Sequence, residues 1–112
     1  MPEAYKVLGQ DAPALDTLSD LYEVPAGASA VAATLTVAHI GTADDPTATY
    51  RVSVAVNGEG DAPKQIVLND LQLALNVAAV HKLGITLAAG DVVRVRARDA
   101  QCAFNLFGTE IT

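Results

Sequence analysis

At 112 residues, with 51% hydrophobic residues drawn largely from Ala and Val, no Trp, two Phe and three Tyr, the chain has the size of one domain, 1–112, with a core of thin side chains that needs no metal or disulfide staple. The formal net charge is −6, and seven acids from Glu3 to Asp45 stand against Lys6 alone before residue 47, so the basic footprint that a phosphate backbone requires is missing and nucleic acid is not expected as a partner. Charged residues make up only 18% of the chain and no apolar run approaches the ~20 residues of a membrane span, a surface suited to cover by neighbouring proteins and not by lipid.

The opening Met1-Pro2-Glu3-Ala4 lacks a basic and apolar leader, so the protein is expected to start soluble in a cytoplasm. Residues 1–20 read as a partly extended N-terminal segment: a short strand, Tyr5 to Gly9, then a loop marked by Asp11, Pro13 and Asp16. Leu15, Leu18 and Leu21 recur three apart there, open to a single helical turn but read as a loop across the edge of a sandwich. Leu21 to Val24 runs into Pro25-Ala26-Gly27, where Pro supplies φ near −65° and Gly can take positive φ.

Val31 to Ile40 is a strand with Val31, Ala33, Leu35 and Val37 on one face. After a loop over 41–47, Thr49 to Asn57 alternates Tyr50, Val52, Val54 and Val56 against Thr49, Arg51, Ser53 and Ala55. A loop through Gly58, Gly60 and Pro63 leads to one or two strands over 65–77, with Leu71, Leu73, Leu75 and Val77 in register. His81 to Leu87 turns inward at Leu83, Ile85 and Leu87, and an Ala-Ala-Gly-Asp corner joins it to Val92–Arg98; Phe104 to Ile111 closes the chain. About eight strands without a crossover helix predict an all-β fold, an antiparallel β-sandwich of jelly-roll or immunoglobulin-like type.

The combination and order of four pieces carries a resemblance. Tyr5-Lys6-Val7-Leu8-Gly9-Gln10, the Leu21-Tyr22-Glu23-Val24-Pro25-Ala26-Gly27 corner, the Gly84-Ile85-Thr86-Leu87-Ala88-Ala89-Gly90-Asp91 hairpin and the closing Phe107-Gly108-Thr109-Glu110-Ile111 resemble a family of small β-sandwich structural proteins of tailed bacteriophages, over nearly the whole chain. The resemblance implies a virion component, on the capsid or in the tail. The stretch 57–81 matches no part of that pattern and is open as a partner-specific surface.

Among candidate sites, Arg94, Arg96 and Arg98 project from one strand face about 7 Å apart, and Arg51 joins them if its strand is a neighbour. Such a stripe makes either a solvated face or a protein contact in which guanidinium forks grip carboxylates. Leu15, Leu18 and Leu21, with the low charge density, point to association with identical copies, read as a homotrimer. Asp44-Asp45 and Glu59-x-Asp61 lack the spacing of a calcium loop, so no metal or other cofactor is expected.

His39 and His81 fall into no metal or catalytic spacing, Ser19, Ser29 and Ser53 into no nucleophile elbow, and Gly58-Glu59-Gly60 is too short for a phosphate loop. Cys102 reads as an inert inward thiol. The expectation is therefore a non-enzymatic virion protein, most concretely a capsid decoration or cement subunit held to itself and to the major capsid protein by protein contacts. The alternatives are a tail, baseplate or fibre-attachment module and, from another class, a carbohydrate- or host-surface-binding module.

Overall fold

A computed structural model describes residues 3–112; Met1 and Pro2 of the opening stretch lie outside the described residues. Eight strands form: β1 Glu3–Asp11, β2 Ser19–Glu23, β3 Ser29–His39, β4 Thr47–Ala55, β5 Ile66–Ala74, β6 Ala78–Leu87, β7 Val92–Arg98 and β8 Cys102–Ile111. They build two four-stranded antiparallel sheets, ordered β1-β8-β3-β6 and β2-β7-β4-β5. First pairs with last, second with seventh, third with sixth and fourth with fifth. The chain is thus one long hairpin folded back at the β4–β5 loop and wrapped around itself, which is the jelly roll of two Greek keys and not the immunoglobulin order.

The core lies between the sheets. Phe104, Leu106, Leu35 and Val37 come from the first sheet and Tyr50, Val52, Val93 and Val95 from the second, all at most 2% exposed. Tyr50 crosses the sandwich: its ring meets Phe104 edge-on with centroids 6.3 Å apart, and its hydroxyl shares a 2.7 Å hydrogen bond with His81 Nε2 on the opposite sheet. Aromatic pairs favour this edge geometry.

Bulges correct the expected facing of several residues. Between Ala32 and Thr34, β3 carries one residue more than β8 opposite it, because Ala32 pairs Gly108 and Thr34 pairs Phe107. Side chains switch faces there: Ala30, Ala32, Leu35 and Val37 are buried, whereas Val31 and Ala33 point outward. β1 has its own extra residue at Leu8, between the Val7–Phe107 and Gly9–Leu106 pairs, and β6 has one between the Ala32–Ile85 and Thr34–Lys82 pairs, where Gly84 takes φ +61°. The three irregularities line up across one level of the sheet, with β8 running straight between them. An extra residue bends its strand and leaves a gap in the ladder.

Further differences follow from turns. The stretch 65–77 is a short 3-10 turn at Pro63–Gln65 followed by a single strand, β5, broken in facing by Asp70 at φ +49°. A turn at Leu75-Asn76 leaves Val77 exposed outside the strand, and Val56 lies exposed in a second 3-10 turn, Val56–Gly58. The first strand extends to nine residues as an edge of the sheet, and no helical turn forms around Leu15 and Leu18.

Gly108 exists for packing: a β-carbon there would lie 2.0 Å from the Val31 carbonyl oxygen and 2.9 Å from Leu8 Cδ1. No side chain fits such a gap.

Candidate functional site

The two outer sheet faces differ in chemistry. On β2-β7-β4-β5, Arg51 and Arg96 are direct cross-strand partners, Ser53 sits opposite Arg94 and Thr49 opposite Arg98. The stripe expected from the sequence therefore forms, and β4 adds Arg51 to it. Like charges facing across a ladder repel. The chain supplies the counter-charges itself: Asp20 on β2 lies 3.1 Å from Arg94, Asp16 in the β1–β2 connection 3.4 Å from Arg96, and Asp70 in the β5 bulge 3.6 Å from Arg51 and 3.9 Å from Arg98.

Asp16 and Asp70 both occupy left-handed backbone, φ +57° and +49°, which Asp tolerates better than most residues. Arg94 also donates from Nη1 to the Glu59 carbonyl at 2.7 Å, tying the β4–β5 loop down over this face. These arginines are thus held within the chain. Truncating them separates the buried anchor from the solvated pairs: Arg94→Ala, whose side chain is 13% exposed, is expected to cost about 1–2 kcal/mol, and Arg98→Ala, 45% exposed, under about 0.5 kcal/mol in urea unfolding.

The leucine series is dispersed. Leu21 is core, 6% exposed, because it lies in β2, while Leu15 and Leu18 are 53% and 37% exposed in the preceding connection. The three do not share a face.

The histidines have structural partners. His39 is buried; its Nδ1 accepts the Gly41 N–H at 3.1 Å and its Nε2 lies 2.8 Å from the Asp45 carbonyl, to which it donates in that tautomer. It closes the β3–β4 loop, and His81 braces Tyr50. Ser53 is buried, as is Cys102, whose thiol is pushed up to about 11 by burial. With the folded value above the ordinary 9.0, the native state keeps its proton where the unfolded chain loses it, so stability holds below pH 9 and falls as pH rises through about 11. A thiol reagent such as Ellman's at pH 8 is expected to leave Cys102 untouched in native protein and to titrate one thiol after denaturation; rapid native reaction would contradict the burial.

Among the described residues no group of three or more His, Cys, Asp or Glu side chains is placed to hold a metal. Besides Tyr50–His81, a polar chain at the β1–β8 edge bridges the sheets: Tyr22 donates to Glu110 Oε2 at 2.7 Å and Lys6 Nζ to Glu110 Oε1 at 3.0 Å. Tyr22 is driven well above its ordinary value, first by burial and then by Glu110, and the Tyr22 and Lys6 hydrogen bonds hold the Glu110 carboxyl below the usual range.

The other outer face, on β1-β8-β3-β6, has no counterpart among the sites expected from the sequence. Its ladder places Tyr5, Val7, Val31, Ala33, Val80 and Phe107 outward, with Thr and Ala around them and the exposed Gln10–Asn105 hydrogen bond in the row of Thr36 and Val80. Among the described residues, Lys82 within it, Lys6 along its groove and Glu3 at its rim add charge. Tyr5 is 81%, Val80 63% and Val7 45% exposed. At the level of the bulges the face is hollowed into a shallow groove of about 530 Å³, lined by Tyr5, Val7, Ala33, Phe107, Gly108 and Thr109 together with Lys6.

Comparison with protein families and with curated proteins finds no match to this chain.

Proposed function

We propose that this protein is a non-enzymatic structural component of a tailed-bacteriophage virion, a decoration or cement subunit that adds contact area across a capsid seam. The observation that carries the reading is the pairing of a closed, filled jelly roll with a broad outer sheet face nearly free of charge. A face with so little charge and several exposed apolar side chains, Tyr5, Val7, Val80 and Phe107 among them, suits a protein that is covered by neighbours.

Jelly rolls recur in capsid proteins, a fold-level analogy. The four pieces of the phage resemblance sit where the fold needs them. Tyr5 to Gln10 and Phe107 to Ile111 pair along β1 and β8. The Pro-Ala-Gly and Ala-Gly-Asp corners are joined through Val24, whose N–H donates to the Asp91 carbonyl and whose carbonyl accepts the Gly90 N–H, both at 3.0 Å. The histidines are hydrogen-bonded within the fold and Cys102 is enclosed. Binding to the major capsid protein then rests on surface complementarity and needs no cofactor.

Quantitative mass spectrometry of purified, salt-washed particles of the phage that encodes the chain tests this. The reading expects a copy number comparable with that of the major capsid protein. A small fraction of that number would move the protein to the tail, and absence from particles would overturn the virion role.

A further inference from the structure

We propose that the outer face of β1-β8-β3-β6 binds a second copy of this chain in a two-fold contact, with Tyr5 of each copy seated in the groove of the other. A two-fold interface must be self-complementary, so each copy must carry both the projecting part and the recess that receives it. Tyr5 stands 81% exposed at the edge of the groove formed by Val7, Ala33, Phe107, Gly108 and Thr109, so projection and recess lie side by side on one face. The recess is a product of the aligned bulges, which open the ladder at one level while β8 runs through it.

Area and charge favour an identical partner. Four strands at about 4.8 Å spacing and about ten residues of 3.3 Å rise give a face of about 600 Å², hence about 1,200 Å² for a pair, at the lower limit of specific interfaces. Each copy carries a net charge of −6, so association through most of its surface would bring carboxylates together. This face has none in its interior, and the acids paired with the arginines lie across a sandwich whose shortest extent is 19 Å, well beyond a screening length of about 8 Å in physiological salt. Two lysines lie within the contact: Lys6, which lines the groove with its ammonium paired to Glu110 at 3.0 Å, and Lys82, whose long stem lets the ammonium reach the rim.

The contact uses the face on which the virion reading rests, but the two fail separately: a protein found in particles but monomeric in solution overturns the contact alone, and a dimer absent from particles overturns the virion role alone. The experiment is sedimentation equilibrium of the whole chain across a wide concentration range, for wild type, Tyr5→Asp, Phe107→Glu and the loop variant Leu15→Glu, with circular dichroism confirming folding. Wild type and Leu15→Glu are expected to dimerise equally, and Tyr5→Asp to weaken the dimer about tenfold or more, as loss of a central aromatic does. Tyr5 is so exposed that its replacement leaves the fold intact, which keeps the test valid if Phe107→Glu misfolds. A monomeric wild type, or a dimer that Leu15→Glu disrupts and Tyr5→Asp does not, overturns the proposal.

Discussion

Phe104→Ala is expected to remove about 3–5 kcal/mol of stability, the range found when a fully enclosed aromatic is truncated and the surroundings cannot close the cavity. Phe104 heads the largest fully buried side chains and holds the edge contact with Tyr50, itself fixed by His81. The neighbouring Tyr50 ring is tied to His81 by its hydroxyl, which holds it from swinging into the space. The internal control is Phe107, three positions along the same strand and 37% exposed on the outer face. Phe107→Ala is expected to cost under about 1 kcal/mol in the same urea titration. Equal losses at the two positions would contradict the assigned facing of β8.

The second large effect is at Asp91. Its side chain is 9% exposed, its Oδ1 accepts the Asn57 N–H at 3.0 Å, and its Oδ2 accepts the Ala88 N–H at 2.9 Å. Its backbone carbonyl takes the Val24 N–H. One residue thus joins the β2–β3 corner, the β4–β5 loop and the β6–β7 corner at one end of the sandwich. Asp91→Ala removes the carboxylate that accepts from the Asn57 and Ala88 amides, both on exposed loop residues, and is expected to cost about 1.5–3 kcal/mol, the range for hydrogen bonds to a charged group. Asp91→Asn retains one carbonyl acceptor and is expected to lose about half as much. Equal stability of wild type and Asp91→Ala by denaturant unfolding would show that the three loops are held by packing alone.

The strand pattern was readable because most core positions alternate along their strands: Tyr50 and Val52, Leu83, Ile85 and Leu87, Phe104 and Leu106. The failures cluster where the period breaks. A bulge at Ala33 inverts the face of the residues before it, and the sequence Val-Ala-Ala-Thr offers no signal of where the extra residue falls. Gly84 inside a strand was such a signal, since a lone glycine in a strand pattern marks a bulge or a close approach, and Asp70 took the same role with no glycine at all. The arginine stripe was legible from its spacing, but its aspartate partners come from β2, β5 and a connecting loop, and only the pairing of β2 with β7 and of β4 with β5 brings them near. The uncharged face is not legible in the sequence because it is assembled from four strands far apart in the chain, each contributing only a few small, polar or aromatic side chains.

If this jelly roll acts through its uncharged sheet face, Tyr5 reports on that contact directly, since Tyr22 and Tyr50 are 8% and 2% exposed and supply the internal negatives. Nitration with tetranitromethane followed by peptide mass spectrometry, on dilute protein, concentrated protein and purified particles, is the decisive measurement. Tyr5 is predicted to react in the dilute sample and to be protected in the other two, with Tyr22 and Tyr50 unmodified throughout; equal nitration of Tyr5 in all three would contradict that mode of action.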